Sequence, residues 1–276
     1  MNRTVSEKRA AFRALHQDGC FVLPNPWDIG STRVLESLGF KALATTSAGY
    51  AWSVGLPDGQ VSRAMTLAHI RQIVTATELP VSADFESGFG ADPEGVAESV
   101  RMAVETGVAG ISIEDSTGDP ANPLRDTDEA VLRVRAARHA IDECGGDTLL
   151  VARAENFFVG KPDLEDTLMR LKAYAEAGAD CLYAPGIRTH EEIQSVVAAV
   201  APKPVNLLIG PACALTLHEV EALGVRRISL GGSLARAAWG GFLRVVNDII
   251  GRGRFDTLTN VPTNAELNAI FRKIQG

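Results

Sequence analysis

Short apolar, β-branched runs alternate along the chain with longer stretches whose apolar positions recur at three- and four-residue spacing. The first kind reads as buried parallel strands, the second as amphipathic helices. Strands are expected at Phe21–Leu23, Ala42–Thr46, Val81–Phe85, Gly110–Glu114, Leu149–Arg153, Cys181–Ala184, Val205–Ile209 and Arg227–Leu230. Helices are expected near Ser31–Leu38, Thr66–Ala76, Pro93–Thr106, Asp128–Glu143, Leu164–Ala177, Glu191–Ala199, Leu215–Leu223 and Leu234–Ile250. One more precedes the series at Ser6–His16 and one follows it at Asn264–Lys273. Asp92-Pro93 marks a capped start, and Gly107, Gly178 and Gly224 fall just past helix ends.

Eight such units point to the α/β class and close naturally as a single (β/α)8 barrel over 1–276, with a helical extension from about 251 to 276. The competing architecture, an open doubly wound sheet, usually has fewer strands and carries a glycine-rich turn after the first one. That turn is here Pro24-Asn25-Pro26-Trp27-Asp28, which is no dinucleotide fingerprint. Three long stretches follow strands, Ser47–Ala64, Asp115–Thr127 and Glu155–Pro162. In a barrel they lie at the C-terminal face, where enzymes of this fold keep their active sites.

Composition narrows the function. Hydrophobic residues make up 46% of the chain and charged ones 22%, and no apolar run approaches the roughly 20 residues that span a bilayer, so no membrane association is expected. The net charge of −7 is spread along the chain and Lys and Arg never run beyond a pair, which argues against nucleic acid as a partner. The first residues mix charges instead of following the basic-then-apolar order of a secretory leader, and a cytoplasmic location is expected. Cys20, Cys144, Cys181 and Cys213 are too scattered for a CxxC site or a disulfide framework and read as reduced thiols.

If the strands end where they are read, Asp84, Glu86 and Glu114 stand on one rim, with Asp58 in the loop after the second strand. Acids gathered that closely do not all ionise without a cation, and an oxygen-only set suits a hard metal, Mg²⁺ ahead of Mn²⁺. Asp84 and Glu86, two apart on an extended segment, share a side. Mg²⁺ keeps several waters, so one or two of these acids suffice as direct ligands. The plainer alternative is surface charge or capping, and Asp58 between Pro57 and Gly59 also fits a simple turn. For Asp84 and Glu114 that alternative is weaker, because each ends an apolar strand where an unpaired charge is costly.

Arg153 ends the fifth strand and serves either to grip a substrate carboxylate with two parallel hydrogen bonds or to pair with an acid such as Glu114. Backbone amides around Ser47, Ala48 and Gly49 suit the other end of an anionic substrate. Tyr50 is either packing or a proton donor, and Asn206 in the seventh strand makes a core hydrogen bond or meets substrate. His190, beside Glu191 and Glu192, is a general base or a surface residue next to a helix cap. Gly231-Gly232 resembles a barrel phosphate loop but equally serves a plain turn.

Taken together, Asn25-Pro26-Trp27-Asp28, Thr46-Ser47-Ala48-Gly49, Gly55-Leu56-Pro57-Asp58-Gly59, Ala83-Asp84-Phe85-Glu86-Ser87-Gly88-Phe89-Gly90, Ile113-Glu114-Asp115 and Ala152-Arg153 resemble the isocitrate lyase / phosphoenolpyruvate mutase superfamily, from about Pro24 to Val245. The resemblance implies a barrel whose last helix is exchanged between subunits of a homodimer or homotetramer. It implies Mg²⁺ held by Asp84, with Glu86, Glu114 and Asp58 acting through metal-bound water. It also implies that Ser47, Ala48 and Gly49 bind a 2-oxo acid with Arg153 on a carboxylate, and it tips Asn206 toward substrate.

The likeness is to the mutase-like, less characterised branch. Family lyases carry a Lys-Lys/Arg-Cys-Gly-type loop after the fourth strand, and the phosphonate enzymes a Lys and an Asn. This chain has Ser116-Thr117-Gly118-Asp119-Pro120-Ala121-Asn122-Pro123-Leu124-Arg125, with neither Lys nor Cys, and Ala184 where the lyases place a Glu. The expected activity is therefore that of a Mg²⁺-dependent lyase cleaving a small 2-oxo or 2-hydroxy dicarboxylate through a metal-stabilised enolate, as in oxaloacetate decarboxylation. Asp58, Arg153, Tyr50 and Glu114 are its expected catalytic residues. The alternatives are isocitrate- or methylisocitrate-type cleavage, C–P chemistry on a phosphonopyruvate, and a barrel that binds a 2-oxo acid without turnover.

Overall fold

Apolar runs at eight places pair side by side through their backbones, in the order β1-β8-β7-β6-β5-β4-β3-β2, all parallel. The structure, a computed structural model, describes residues 3–210 and 213–275. The strands are β1 (Phe21–Leu23), β2 (Leu43–Ala44), β3 (Val81–Asp84), β4 (Gly110–Glu114), β5 (Leu149–Arg153), β6 (Cys181–Tyr183), β7 (Val205–Leu208) and β8 (Arg227–Ser229). Between β1 and β2 the ring is drawn together where Ala44 N donates to Pro24 O at 3.1 Å. The result is a nearly closed (β/α)8 barrel, as the alternation predicts.

Around it run α1 (Val5–Leu15), α2 (Ile29–Ser37), α3 (Ser47–Ser53), α4 (Arg63–Thr75), α5 (Pro93–Val104), α6 (Thr127–Glu143), α7 (Leu164–Glu176), α8 (His190–Val200), α9 (Leu217–Ala222), α10 (Ser233–Arg252) and α11 (Asn264–Gln275), with a 3₁₀ turn at Asp256–Asn260. The patterning did not indicate α3. Its start is local chemistry: Thr46 lies in extended backbone and its hydroxyl accepts from Gly49 N, capping a seven-residue helix inside what reads as a loop.

Alternation along each strand sorts side chains into two cores. Ala83, Ile111, Ile113, Leu150, Ala152, Leu182, Leu207 and Ile228 face out against the helices. Leu23, Leu149, Val151, Cys181 and Tyr183 face in and meet Phe12 of α1, which plugs the bottom of the barrel fully buried. Gly110 is required there, since a Cβ on it would lie 2.8 Å from the Phe12 ring. The same period of two carries Glu114, Arg153 and Tyr183 to the inner side at the tops of three adjacent strands, where they stand in register.

α10 departs from this economy. Of its twenty residues only Ala235 is buried, while Trp239, Phe242, Leu243 and Ile250 are exposed. α11 folds back onto α2, with the Phe271 ring near Gly30. Among the described residues no helix is long and apolar enough to cross a membrane.

His16, just past α1, sits edge-on between Phe12 and Phe21 with Nδ1 2.8 Å from Phe12 O. Burial first, and the nearby Arg227 charge second, push its pKa down to about 3. The unfolded chain therefore takes up a proton below pH 6.5 that the fold refuses, so this part of stability is present above 6.5 and is lost as pH falls. His16→Gln should flatten the decline of urea-unfolding free energy between about pH 6.5 and 4.5. A slope equal to that of the parent protein would refute this assignment.

Candidate active site

The C-terminal face holds a cavity of about 870 Å³, walled by the strand tops and the long loops. Arg153 is its centre. The Nη1 atom lies 2.8 Å from Asp84 Oδ1 and 3.1 Å from Glu114 Oε2, and Nε lies 2.7 Å from Glu155 Oε1. None of these three contacts uses Nη2. The guanidinium also lies over the Tyr183 ring, 5.1 Å from its centroid. Burial disfavours the charge on Arg153, but Glu114, Glu155 and Asp84 overcome it and hold its pKa well above the ordinary value.

The carboxylates are under the opposite pressure. Glu86 is pushed up to about 7, by burial first and then by Asp84 and Asp58. Burial also holds Glu114 well above the usual range, with Glu155, Asp84 and Glu86 adding to it against the pull of Arg153. Burial raises Glu155 as well. Negative charge thus exceeds what Arg153 neutralises on this rim.

Backbone geometry aims these groups. Thr45 Oγ1 accepts from Asp84 N at 2.9 Å, and Asp84 Oδ2 accepts from Ser47 N at 3.0 Å, tying β3 to the start of α3. Strand β3 stops at Asp84, and Glu86 takes the left-handed conformation at φ 47°, as does Phe89 at 55°. Glu86 therefore reaches the cavity by a turn and not by the extended spacing that the sequence suggests. Its carbonyl accepts from Glu114 N at 3.0 Å, a bond that helps hold this costly conformation.

Asp115 is a buried anchor beneath the rim. Its Oδ1 accepts from Glu155 N at 2.9 Å, and its Oδ2 accepts from Tyr174 Oη at 2.6 Å and Arg170 Nη1 at 3.1 Å. It locks the loop after β5 to α7 and so positions Glu155. Asn25 does similar work across the β1–β2 seam: Oδ1 accepts from Leu230 N and Gly231 N, both at 2.9 Å, while Nδ2 donates to Thr45 O. With the Gly231 amide committed there, the Gly231-Gly232 pair serves a turn.

Of the residues singled out in the sequence, Ser47, Ala48, Asp58, Asp84, Glu86, Glu114 and Arg153 line one cavity. Gly49 is buried behind them, and a Cβ there would lie 2.7 Å from Thr46 Cγ2. Tyr50 stands apart, stacked on His69 with ring centroids 3.8 Å apart. Asn206 also lies off the cavity wall, donating to Ser229 Oγ at 2.9 Å and accepting from Arg227 Nε at 2.8 Å. His190 is exposed in the first turn of α8. Glu155, Asp115, Tyr183 and Arg227 escaped the sequence reading. The period of two in Val151-Ala152-Arg153-Ala154-Glu155 carried the signal for Glu155, and a charge inside an apolar strand carried it for Arg227.

Among the described residues no group of three or more His, Cys, Asp or Glu side chains is gathered as a ready metal cage. The donor set nonetheless fits a hard divalent cation that keeps most of its water: every candidate ligand is a carboxylate, and the raised Glu86 marks missing positive charge.

A parallel barrel with an acidic, arginine-centred rim defines an α/β-barrel enzyme class, and comparison with known proteins gives the family. Residues 12–250 match the phosphoenolpyruvate phosphomutase family, to which the chain belongs, within the isocitrate lyase / phosphoenolpyruvate mutase superfamily. The solved structure of a Burkholderia cenocepacia J2315 protein of the lyase/mutase type is 47% identical, with a TM-score of 0.94, and the match covers 97% of both chains. The structure of 2,3-dimethylmalate lyase is 28% identical with a TM-score of 0.84, covering 99% of this chain and 95% of that one. An oxaloacetate decarboxylase from Paraburkholderia xenovorans is 30% identical over 206 residues, 71% of this chain and 66% of that protein. The protein is thus an enzyme of a lyase and mutase superfamily.

Proposed function

We propose that the chain is a Mg²⁺-dependent carbon–carbon lyase acting on a small 2-oxo dicarboxylate, in the manner of an oxaloacetate decarboxylase. The observation that carries this is the chemistry of the wall. The described residues lining the cavity include no Lys, Cys or His, and Ser116, Thr117 and Gly118 face it where family lyases carry their acid-base loop. Decarboxylation next to a carbonyl needs an electron sink and no strong general acid, whereas cleavage that releases a second carboxylic acid requires a proton donor for the leaving carbanion. The likeness to an oxaloacetate decarboxylase and to 2,3-dimethylmalate lyase supports carbon–carbon cleavage.

Asp84 and Glu86, with Glu114, would hold the metal, and Mn²⁺ would serve in its place. When bound, the cation supplies Lewis-acid polarisation of the 2-oxo group. The rest falls to the protein's own side chains. Arg153, pinned through Nη1 and Nε, offers Nη2 to a substrate carboxylate in a fixed direction. Ser47 and Ala48 line the cavity at the first turn of α3, where the Ser47 amide holds Asp84 in place and the Ala48 backbone would meet the 2-oxo end of the molecule. Asp58, exposed on the loop after β2, lines the same cavity and faces the substrate from its mouth. Cleavage of the bond to the departing carboxylate sends its electron pair toward the 2-oxo oxygen and releases CO₂. The carbon left behind then takes a proton from water.

In this reading the exposed apolar side of α10 is covered by a second copy of the chain, and the protein is a helix-exchanged homodimer or a pair of such dimers. Light scattering should give a mass of two or four chains, and Trp239→Glu with Phe242→Glu should shift it to one. A monomeric parent protein would overturn the exchange.

Purified protein with Mg²⁺ should convert oxaloacetate to pyruvate and CO₂ above the metal-only background and stop with EDTA, while silence on oxaloacetate with turnover of methylisocitrate or phosphonopyruvate would replace this function. Asp84→Ala should cut turnover by roughly a thousand-fold, equal to several kcal/mol of lost transition-state stabilisation, and abolish Mg²⁺ binding in calorimetry. Retained Mg²⁺ affinity would sink the metal assignment. Arg153→Lys should weaken substrate binding about ten-fold, because a point charge does not reproduce the guanidinium's fixed array of donors; unchanged kinetics would leave Arg153 a purely structural residue.

A further inference from the structure

The barrel holds a second guanidinium that the rim chemistry does not use. Arg227 opens β8 and points inward, two residues below Ser229 on the same face of the strand. It is 3% exposed yet forms part of the cavity lining. The Nε atom donates to Asn206 Oδ1 at 2.8 Å, and Nη1 is buried without a hydrogen-bond partner among the described residues. Its titratable neighbours are the Arg153 guanidinium and the neutral Cys181, Tyr183 and His16, with no acid among them. The Phe12 ring lies beneath it, 5.9 Å from Cζ.

A buried lysine in such a place sheds its proton, but a guanidinium does not, and a charge left without an anion in a dry interior is costly. The surrounding groups suit an oxyanion. Ser229 and Tyr183 both line the cavity and bring hydroxyls, and Asn206 holds Ser229 Oγ at 2.9 Å. Tyr183 separates two positive groups, with Arg153 over its ring on the rim side and Arg227 toward the floor. A ligand reaching from rim to floor thus meets a cation at each end.

We propose that Arg227, with Ser229 and Tyr183, forms a second anion subsite on the barrel floor that takes the far carboxylate of a dicarboxylic substrate and selects it over monocarboxylic 2-oxo acids. This rests on the proposed function and names its specificity residue. Apart from Gly231-Gly232, whose first amide is committed to Asn25, nothing in the sequence near Arg227 has the form of an anion motif; the site exists because β8 lies beside β7 and over Phe12.

The test is calorimetry with Mg²⁺ on the full-length protein, using the unreactive 2-hydroxy acids malate (two carboxylates) and lactate (one). The parent protein should bind malate at least ten-fold more tightly than lactate. Arg227→Met should erase the preference by weakening malate alone, with a ligand-free Tm equal to or above that of the parent, because an unpaired buried charge has been replaced by a side chain of similar length. Arg227→Lys should regain only part of the preference, because a buried lysine there keeps its proton only while the second carboxylate lies beside it. A lowered Tm with both acids weakened together would make Arg227 structural and overturn the subsite. Equal binding of the two acids by the parent would also overturn it and leave the lyase function standing; chloride raising the parent's Tm but not that of Arg227→Met would then assign the floor to a free inorganic anion. If the parent binds neither acid, the proposed function and the subsite fall together.

Discussion

One guanidinium held among three carboxylates, one buried and two mostly so, governs this molecule. Arg153, at the top of β5, bonds Asp84, Glu114 and Glu155, which come from the tops of β3 and β4 and the loop that follows β5. Charges taken out of water are costly unless each is paired in good geometry, and that geometry is available only if β3, β4 and β5 lie in parallel and in register. The cluster is therefore a constraint on the barrel as much as a product of it. Much of the surrounding architecture serves it: Thr45 orients Asp84, Asp115 fixes Glu155, and the left-handed turn at Glu86 bonds the Glu114 amide.

That arrangement leaves the rim short of positive charge. Burial and mutual repulsion hold Glu86 near neutrality and Glu114 well above its ordinary range. A hydrated divalent cation relieves both, and a substrate that brings carboxylates of its own needs donors aimed at each end. The two arginines of the cavity differ in this respect. Arg153 is saturated with acids along one edge and free on the other, while Arg227 has no acid beside it. The pairing suggests a division of labour between holding the reacting end and recognising the remote one.

Membership of the phosphoenolpyruvate phosphomutase family sets the scaffold and leaves the bond broken to the loops. In this chain the loop after β4 brings Ser116, Thr117 and Gly118 to the cavity. The proposed reaction places the demand for catalysis on electron withdrawal and orientation, which the rim can meet, and not on a strong side-chain acid.

The sequence by itself determined the eight βα units, their order and the strand bounds to within two residues, because parallel strands buried on both faces read as continuous apolar runs and their helices as three- and four-residue periods. It also indicated that Asp84, Glu114 and Arg153 reach the rim, since a charge closing an apolar strand has few other uses. Only the tertiary structure decided the rest. Glu86 reaches the cavity through a left-handed turn that no local residue preference announces, held by a bond from the Glu114 amide on the neighbouring strand. Tyr50 turned to His69 and Asn206 to Ser229 and Arg227, because a side chain's partners come from strands and helices distant in sequence. Arg227 reads in the sequence as one of two adjacent basic residues; the packing of β8 over Phe12 makes it a buried, unpaired charge, and burial is a property of the fold and not of the residue.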